Sequence, residues 1–448
     1  MAIEETTEES QRAPNLARRG IAGLIAIWAH GRPASLPLPL LNGELVLGRG
    51  VQGELFSDDE RVSREHCRVS IDGPSWTITD LGSRNGTYLR GQPVEGTRDT
   101  LSEQLVLRVG RTLLWAVDDV RLYQSAVLLG EDGLVIGGAL RRAWAEIELA
   151  AHAGSTLCLR GESGAGKERA ARAFHEALFG ARSAPFVGVN CAAIPEGLAE
   201  RLLFGARRGA YSGAATDVQG YLQAAHRGTL FLDEIAELEL RTQAKLLRVL
   251  ETKEVLPLGA NRPEPVDVRV CVAAHADLRE EVKAGRFRED LYYRIGRPEV
   301  MLAPLRQRLD ELPCLITTLL ASVDRELQPS ARLIEACAIR PWPGNVRELG
   351  GEVRRAAHRA LRLGKREVDV DELDPDAGIR LSDRAAEAAT DESKVESMPS
   401  DEQILRTLSE CDNNVTRAAK QLGLHRNQLR RWLAKHPLKS PPDSADEA

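Results

Sequence analysis

The residues that most directly suggest chemistry lie in GESGAGKE, residues 161–168, between an apolar stretch and a helical one. Its glycines, Gly161, Gly164 and Gly166, would let backbone N–H groups converge on phosphate oxygens. A helix N-terminus adds its dipole, and Lys167 would reach the β and γ phosphates of ATP. The pattern alone also fits a glycine-rich turn, so the prediction of a phosphate-binding loop needs a second element.

That second element is a pair of acids at the end of the apolar stretch GTLFLDE, residues 228–234. Open parallel sheets bind ligands at the carboxyl ends of their strands, so Asp233 and Glu234 should lie near the phosphate loop. We expect Asp233 to organise Mg²⁺ and Glu234 to polarise the attacking water. Paired acids at a strand end are often solvated caps, but the phosphate loop two strands earlier favours the catalytic interpretation.

Residues 202–214, LLFGARRGAYSGA, are too rich in glycine for a core helix and too apolar for an ordinary surface loop. Gly209 and Gly213 are predicted hinges because glycine adopts conformations closed to other residues. Between them, Tyr211 and Ser212 would form an exposed tip that contacts another molecule.

Near the C-terminal end, residues 413–439 carry seven Lys or Arg and no acid, although the chain as a whole has a net charge of -6. Their apolar residues suit two helices packed across a turn at Gly423, a helix-turn-helix. The second helix would present polar side chains to a DNA major groove, namely Arg426, Asn427, Gln428, Arg430 and Arg431. A basic, solvated helix pair is the alternative.

Chain length, cysteine content and the lengths of the apolar runs limit the classes of protein that fit these predictions. A chain of 448 residues is long enough for about three domains of roughly 150 residues. Seven cysteines without CxxC pairs indicate reduced thiols, and the acidic start of the chain does not fit a signal peptide. The longest apolar run, IAGLIAIWA, is about half the roughly 20 residues of a membrane span. We therefore expect a soluble, cytoplasmic protein with no membrane partner.

Elements that could position the candidate residues follow from sequence patterning. Short alternating segments between residues 22 and 122 predict an all-β domain. Four apolar segments, STLCLRG, PFVGVN, GTLFLDE and VRVCVAA, alternate with helical stretches from about residue 128, which predicts a parallel sheet covered by helices. Residues 303–373 favour a helical lid, and residues 374–400 are polar enough for a linker.

From about residue 128 to 365 the chain resembles the AAA+ module of bacterial sigma-54-dependent transcription activators, the NtrC type. The matching stretches occur in the family's order: GESGAGKE, PFVGVNCAAIPE, LFGARRGAYSGA, GTLFLDEIAELELRTQAKLLRVLE, FREDLYYRI and WPGNVREL. The resemblance implies an ATP-binding segment of Gly161, Glu162, Ser163, Gly164, Ala165, Gly166, Lys167 and Glu168. It also implies that the family's GAFTGA loop, which contacts sigma-54, corresponds to Gly209, Ala210, Tyr211, Ser212, Gly213 and Ala214.

The resemblance assigns roles that the residues alone do not. Asn190 would hold Glu234 and switch with nucleotide state, although by itself it fits a strand-end cap. Arg288 and Arg294 would be arginine fingers that reach a neighbouring subunit, which implies a ring, a hexamer in this family. Arg347 would be the lid arginine that senses nucleotide.

Two departures from the family pattern concern coupling. The family's usual Thr-Asn pair on the γ-phosphate-sensing strand reads Ala274-His275 here, a change at the place where hydrolysis would be coupled to movement. The loop tip reads Tyr-Ser in place of Phe-Thr, which keeps an aromatic ring and a hydroxyl.

The N-terminal segments LGRG, RVSREHCRV and DLGSRNGTYLRG resemble the forkhead-associated (FHA) β-sandwich. This resemblance implies recognition of phosphothreonine made by a Ser/Thr kinase, with charge-assisted hydrogen bonds to the phosphate. Arg49 and Ser63 would bind the phosphate, with Arg64 assisting them, and Asn85 would bind the peptide backbone. His66 would brace the loop.

Together these observations predict a disordered tail (1–21), an FHA domain (22–122), an AAA+ domain (128–373, with its α/β core ending at 302), a linker (374–400) and a Fis-type helix-turn-helix (401–438). The predicted protein is a sigma-54-dependent activator that hydrolyses ATP as an oligomeric ring, binds upstream double-stranded DNA as dimers at an inverted repeat and is controlled by phosphothreonine. The competing hypothesis is a DNA-binding regulator or phospho-dependent scaffold whose ATPase does not drive sigma-54.

Overall fold

The computed structural model describes residues 20–73, 75–101, 105–130, 133–154, 156–180, 182–195, 197–210, 216–380, 401–411 and 421–422. The chain forms two compact units, one ending at Ile379 and the other beginning at Arg380. The predicted tail up to residue 19, the loop tip from Tyr211 to Ala214, and all five predicted DNA-binding residues lie outside the described residues.

Ten antiparallel strands form a sandwich at the start of the larger unit. They are β1 (Gly23–Ala29), β2 (Arg32–Pro39), β3 (Glu44–Leu47), β4 (Cys67–Asp72), β5 (Ser75–Asp80), β6 (Thr87–Leu89), β7 (Gln92–Pro93), β8 (Thr97–Leu101), β9 (Val106–Val109) and β10 (Thr112–Val117). One sheet has the order β2-β1-β10-β9-β6-β7 and the other β3-β4-β5-β8, with a short helix α1 (Gly53–Phe56) after β3. Alternate apolar side chains from both sheets, including Trp76, fill the core between them.

An α/β region follows. Its strands are β11 (Leu128–Leu129), β12 (Val135–Ile136), β13 (Leu157–Arg160), β14 (Phe186–Asn190), β15 (Thr229–Asp233), β16 (Glu254–Val255), β17 (Glu264–Pro265), β18 (Arg269–Ala274) and β19 (Glu299–Met301). Its helices are α2 (Gly138–His152), α3 (Lys167–Phe179), α4 (Ala199–Phe204), α5 (Tyr221–Ala224), α6 (Leu240–Thr252), α7 (Leu278–Lys283) and α8 (Glu289–Ile295). Five of the strands form a parallel sheet in the order β14-β15-β18-β13-β19. All four predicted strand segments lie in this sheet, while β19 is too short to have been recognised.

Helices α9 (Leu312–Ala321), α10 (Ala331–Ala338) and α11 (Asn345–Arg362) form the lid, with a short parallel pair of strands, β20 (Gln328–Pro329) and β21 (Glu367–Val368). The lid extends past residue 373, where we expected the linker to begin. Ala377 is buried, and the Gly378 carbonyl accepts a hydrogen bond from the Trp342 amide. The start of the linker therefore moves to about residue 380.

The second unit contains helix α12 (Asp401–Glu410), whose residues Ile404 and Leu408 are buried one helical turn apart. The described residues confirm the predicted β-sandwich and the predicted α/β region with a helical lid. Within the described residues, no helix combines the length and the apolar character that crossing a bilayer requires.

Strands β1 and β10 are buried on both faces. Leu24 and Ala26 of β1 point into the sandwich core, whereas Ile25 and Ile27 join a second core that includes lid residues. In β10, Leu114 and Ala116 face the sandwich, and the alternate side chains, Leu113, Trp115 and Val117, face the lid. The sandwich is thus not a tethered module, because one of its sheets shares an apolar core with the lid helices.

A charged contact lies beside this shared core. Arg108 of β9 and Glu335 of α10 form an ion pair, with 2.7 Å between Nε and Oε2 and side-chain exposures of 18% and 7%. The other carboxylate oxygen of Glu335 accepts a hydrogen bond from the amide of Gly91, at 3.1 Å. The Arg108 guanidinium also lies 3.9 Å from the ring centre of Tyr88, so it is held on two sides.

Replacing Glu335 with methionine should leave Arg108 as an unpaired, largely buried charge and lower the free energy of unfolding by about 3–5 kcal/mol. The double variant R108M/E335M should recover most of this loss, since an apolar pair of similar volume needs no compensating charge. Urea unfolding followed by tryptophan fluorescence measures both values. A double variant that loses as much as the sum of the single variants would contradict the pairing.

Candidate functional site

A cavity of about 670 Å³ opens where the phosphate loop, the carboxyl edge of the parallel sheet and the lid meet. The predicted residues that line it are Ser163, Gly164, Ala165, Gly166, Lys167, Glu168, Asn190, Asp233, Glu234 and Arg347. The structure thereby brings together groups separated by up to about 180 residues in the chain. Gly161 lies just below, where its amide donates to the Ala274 carbonyl.

The phosphate loop has the backbone that its glycines predict. Gly164 and Gly166 have φ angles of +74° and +110°, which side-chain-bearing residues rarely adopt. Gly166 caps helix α3 at its N-terminus, so the helix begins at Lys167 with its amide end directed at the cavity. Ala165 is buried, and its carbonyl accepts from Nη2 of Arg308 at 3.2 Å.

Lys167 carries the central charge of the site. Only 6% of its side chain is exposed, and its Nζ lies 2.8 Å from Oε1 of Glu234 and 3.9 Å from Oδ1 of Asp233. Nζ also donates to the Gly161 carbonyl at 3.1 Å. Burial raises the pKa of Asp233, an effect that the nearby Lys167 ammonium opposes. The two acids thus neutralise the lysine.

Glu234 sits immediately after β15 with a φ angle of +52°. Its second carboxylate oxygen, Oε2, accepts from the amide of His275 at 3.2 Å, so the departure from the family at position 275 lies directly against this acid. Asn190 lies beside Asp233 in the register of β14 and β15, and its side-chain oxygen caps the following turn by accepting from the Ala192 amide. The strand-end cap is therefore the contact of Asn190 in this state, and its hold on Glu234 stays a prediction.

An apolar wall of the cavity escaped the sequence analysis. It includes Leu134, Trp144, Leu315 and Leu319, which come from three separated segments. Nothing in the local pattern of each segment distinguishes these residues from ordinary core positions. They provide the kind of surface on which a nucleotide base can pack.

Buried charges lie beside this apolar wall. Nη1 of Arg308 lies 3.3 Å from Oε2 of Glu311, and both side chains are 2% exposed. Glu311 and Asp310 accept hydrogen bonds from the amides of Gly137 and Gly138, at the start of α2. Burial raises the pKa of Glu311 to about 7 despite the Arg308 charge. These contacts fix α2 and the lid relative to each other.

Arg347 projects into the cavity from the first turn of α11, with its Nη1 3.3 Å from Ser163 Oγ. The predicted arginine fingers lie elsewhere. Arg288 forms an ion pair with Asp290, with Nη2 and Oδ2 2.6 Å apart, and Arg294 donates to the Leu250 carbonyl. Arg294 is exposed and Arg288 is partly exposed, and neither lines the cavity of its own chain.

The two ends of the glycine-rich loop are hydrogen-bonded to each other, and we call this paired base the neck. The amides and carbonyls of Ala206 and Val218 exchange hydrogen bonds of 2.9 and 2.8 Å, and the Arg207 amide donates to the Leu258 carbonyl. Arg207 also forms an ion pair with Asp217, with 2.7 Å between Nη1 and Oδ2. Gly209 has a φ angle of +80°, and the Ala210 amide closes a turn by donating to the Arg207 carbonyl at 3.1 Å.

The FHA-like candidate residues lie on adjacent loops of the sandwich. The Arg49 amide donates to the Ser63 carbonyl at 2.9 Å, and Ser63 Oγ accepts from the Arg84 amide at 3.2 Å. Asn85 donates its side-chain amide to the Arg61 carbonyl. Arg49 and Asn85 are exposed on this surface, as is Arg64. Arg61 and Arg84, which we did not single out, add two more exposed cations there.

His66 joins these loops from beneath. Its Nδ1 accepts from the Ser63 amide at 3.1 Å, so Nε2 carries the proton and donates to the Gly86 carbonyl at 3.2 Å. The ring is fully buried, and burial lowers its pKa, which keeps it neutral and able to accept. The serine loop and the asparagine loop are therefore held at a fixed separation.

Three known families match the chain in sequence order. The FHA domain matches residues 45–110, the sigma-54 interaction domain residues 136–301, and the bacterial regulatory protein, Fis family, residues 401–436. The nitric oxide reductase transcription regulator NorR1 of Cupriavidus necator is 36% identical over 396 residues, which cover 82% of this chain and 76% of the relative. The hydrogenase transcriptional regulatory protein HoxA of Bradyrhizobium diazoefficiens is 40% identical over 300 residues, or 63% of this chain. This chain spans 60% of the length of HoxA.

Among solved structures, ADP-bound NtrX of Brucella abortus is similar at 27% identity, with a TM-score of 0.49 over 69% of each chain. The family assignment rests on the sequence matches. A phosphate-loop cavity on a parallel sheet, closed by a helical lid and carrying the sigma-54 interaction sequence, defines an AAA+ ATPase domain. The chain belongs to the family of sigma-54-dependent transcription regulators.

The variant E234Q should hold nucleotide at least as tightly as the wild type, because the phosphates no longer compete with a carboxylate for Lys167. Its unliganded form should melt at a lower temperature, since Lys167 loses a full negative charge. Hydrolysis of ATP should fall by about 10²–10⁴-fold if Glu234 is the general base. Calorimetric titration, thermal unfolding and phosphate release measure the three quantities.

The matched control is E237Q, the same chemical change at an exposed acid three residues away. It should leave all three quantities unchanged. A loss of nucleotide affinity in E234Q would contradict the competition between Glu234 and phosphate.

Proposed function

We propose that this protein is an ATP-driven activator of sigma-54 RNA polymerase. It would bind upstream DNA through its C-terminal helices, hydrolyse ATP as a ring and respond to a phosphothreonine ligand of its FHA domain. The observation that carries the proposal is the convergence of Lys167, Asp233, Glu234 and Arg347 on one cavity. The family membership of all three segments supports it.

In the proposed ATPase, the amides of the phosphate loop and Lys167 hold the phosphates, and the apolar wall around Trp144 holds the base. Asp233 fits a magnesium ligand, because Mg²⁺ is commonly bound by one or two carboxylates together with substrate phosphates. Bound Mg²⁺ would neutralise charge on the phosphoryl oxygens. Glu234 then orients the attacking water and takes its proton, once phosphate has replaced it as the partner of Lys167.

Assembly into a ring would complete this site. Arg294 is exposed, Arg288 is partly exposed, and both lie away from the cavity of their own chain, which favours a role in the cavity of a neighbour. An arginine supplied in trans stabilises transition-state charge only when a second protomer is present. We therefore propose that ATP turnover depends on oligomerisation, to a hexamer by analogy with the family.

The segment from Gly209 to Ala214 would transmit the movement to sigma-54. The neck formed by Ala206 and Val218 and the ion pair of Arg207 and Asp217 supports this role, because they tie the base of the loop to the nucleotide-binding region. Tyr211 and Ser212 would make the contact.

At the other end of the unit, the FHA surface would bind the ligand that controls the ATPase. Arg49 and Ser63 would hold the phosphate, with Arg64 assisting, and Asn85 would hold the peptide backbone. Their placement on adjacent loops braced by His66 supports a preformed site.

A physical route from this surface to the ATPase is available through the lid. Strand β6 begins directly after the Asn85 loop and ends before Gly91, which hydrogen-bonds Glu335 of α10. Tyr88 in the middle of β6 packs against Arg108, the partner of the same glutamate. Displacement of the peptide loop would therefore act on the lid that carries Arg347.

DNA binding is proposed for the segment matched by the Fis family, with Arg426, Asn427, Gln428, Arg430 and Arg431 as its contacts. Modules of this type work as dimers, so the site would be an inverted repeat.

A second candidate function is a DNA-binding regulator or phospho-dependent scaffold whose ATPase does not drive sigma-54. The Ala274-His275 departure favours it, because His275 lies directly against Glu234, the proposed water-polarising acid. The altered Tyr211-Ser212 tip points the same way.

Transcription in vitro from a sigma-54 promoter separates the two functions. We expect ATP-dependent open complexes with the wild type. Y211A should keep its ATPase rate and lose activation, because the variant removes only the proposed contact. Normal ATP turnover without open complexes in the wild type would support the scaffold instead.

Phosphothreonine recognition predicts that R49A weakens binding of a phosphothreonine peptide at least tenfold, since each charge-assisted hydrogen bond contributes about 1.5–3 kcal/mol. Fluorescence anisotropy with phosphorylated and unphosphorylated peptides measures this. The control R98A removes an exposed arginine of β8, outside these loops, and should bind normally. Equal affinity of the wild type for both peptides would refute phospho-recognition.

A further inference from the structure

The first turn of lid helix α11 touches the phosphate loop backbone to backbone. Gly164 has a positive φ, and a Cβ there would come within 2.2 Å of the Gly344 carbonyl oxygen. No side chain can separate the two segments at this point. Any change in the conformation of the phosphate loop must therefore be accommodated by the start of α11.

Asn345 binds the phosphate loop at this contact. Its side chain is fully buried, and its Nδ2 donates to Glu162 Oε2 at 3.1 Å and to the Ser163 carbonyl at 3.0 Å. Its Oδ1 accepts from the amide of Leu305, at the turn that leads into the lid, at 2.7 Å. A single amide group thus joins three segments that are far apart in the sequence.

Arg306 secures the same acid of the phosphate loop. Its guanidinium binds Glu162 through two hydrogen bonds, Nη1 to Oε2 at 2.9 Å and Nη2 to Oε1 at 2.7 Å. The fork holds the pKa of Glu162 at about 2, well below its ordinary value, so the carboxylate stays charged. Without this partner, Glu162 would bring an uncompensated negative charge beside the phosphate site.

The contact also fixes the direction of Arg347. Arg347 is two residues after Asn345 in the same helical turn, and its Nη1 reaches the hydroxyl of Ser163, whose carbonyl Asn345 binds. A helix whose first residue is held at the loop cannot rotate freely about its axis. The position of Arg347 over the cavity follows from the position of Asn345.

We propose that Glu162, Arg306 and Asn345 are positioning residues that couple the phosphate loop to the lid and thereby hold Arg347 at the nucleotide. The proposal rests on the proposed ATP-binding function and adds to it the means by which the lid follows the state of the loop. None of the three lines the cavity, so each acts through another group.

The discriminating variant is N345G. Asn345 has a φ angle of +50°, a conformation that glycine adopts without strain, so N345G removes the amide group and keeps the backbone. In the full chain we expect ADP to bind at least tenfold more weakly, as measured by calorimetric titration. In the background of R347A, N345G should change ADP affinity less than twofold, because the arginine that it positions is already absent.

The matched control is S330G, which removes the side-chain cap of a second lid helix, α10, away from the phosphate loop. It should lower the melting temperature and leave ADP affinity unchanged. The variants E162Q/R306Q and E162Q/R306Q/R347A test the fork without leaving an unpaired acid. The first should bind ADP more weakly than the wild type, and the second should bind it within twofold of R347A, because the arginine that the fork positions is already absent. This pair keeps the test open even if N345G is poorly stable.

Unchanged ADP affinity in folded N345G, or losses that simply add in N345G/R347A, would overturn the coupling. Failure of the wild type to bind ADP at all would instead remove the proposed function on which the coupling rests. The two failures are therefore distinguishable in one series of titrations.

Discussion

Strands β1 and β10 have no face in contact with solvent, and the arrangement of the larger unit depends on this constraint. Fully burying a large apolar side chain contributes about 1.5–3 kcal/mol, so the side of the sheet that carries Ile25, Ile27 and Trp115 must be covered. The lid helices cover it. The lid therefore packs on the sandwich through one surface and reaches the phosphate loop through another, which places it between the two binding surfaces.

Charge compensation governs the cavity in the same way that apolar burial governs the domain contact. Lys167 is almost fully enclosed, so its charge needs a nearby anion, and Glu234 and Asp233 supply it in this structure. Glu162 is held by Arg306 and Asn345, which keeps its charge away from the nucleotide. The acids of the site thus have different partners. Asp233 and Glu234 contact Lys167 and would face ATP, whereas Glu162 contacts Arg306 and Asn345 and connects the phosphate loop to the lid.

Much of this could be predicted from the sequence. Glycine spacing and an apolar strand ending in two acids depend only on local geometry, so the cavity residues around Lys167 were identifiable. The apolar wall was not, because Trp144 and Leu315 look like core residues until the lid closes over the sheet. A signal for the sandwich–lid contact was present: GLIAIWA lacks the polar alternation of a strand with one wet face. The sequence did not indicate which element covers the second face of this strand, because helix α10 follows about 300 residues later.

Residues that act by joining distant segments had the weakest signals in the sequence. Asn345 lies inside WPGNVREL, yet its hydrogen bonds to Glu162 and Leu305 form only when three distant segments come together. Hydrophobic periodicity along the sequence does not predict such contacts. Domain boundaries were hard to place for a related reason. Residues 374–379 are polar in sequence, but the Gly378 carbonyl binds the Trp342 amide, so composition alone placed the end of the lid too early.

The two-sided sheet also limits how this protein could be cut or recombined. A regulatory domain that folds independently can be deleted or exchanged at a linker. Here a break between Tyr123 and Leu128 would leave two complementary apolar surfaces open to water, one on each fragment. An exchanged input domain would have to bring a matching sheet face with it. Sandwich and lid are therefore expected to be inherited together, and a truncated protein without the sandwich would be prone to self-association.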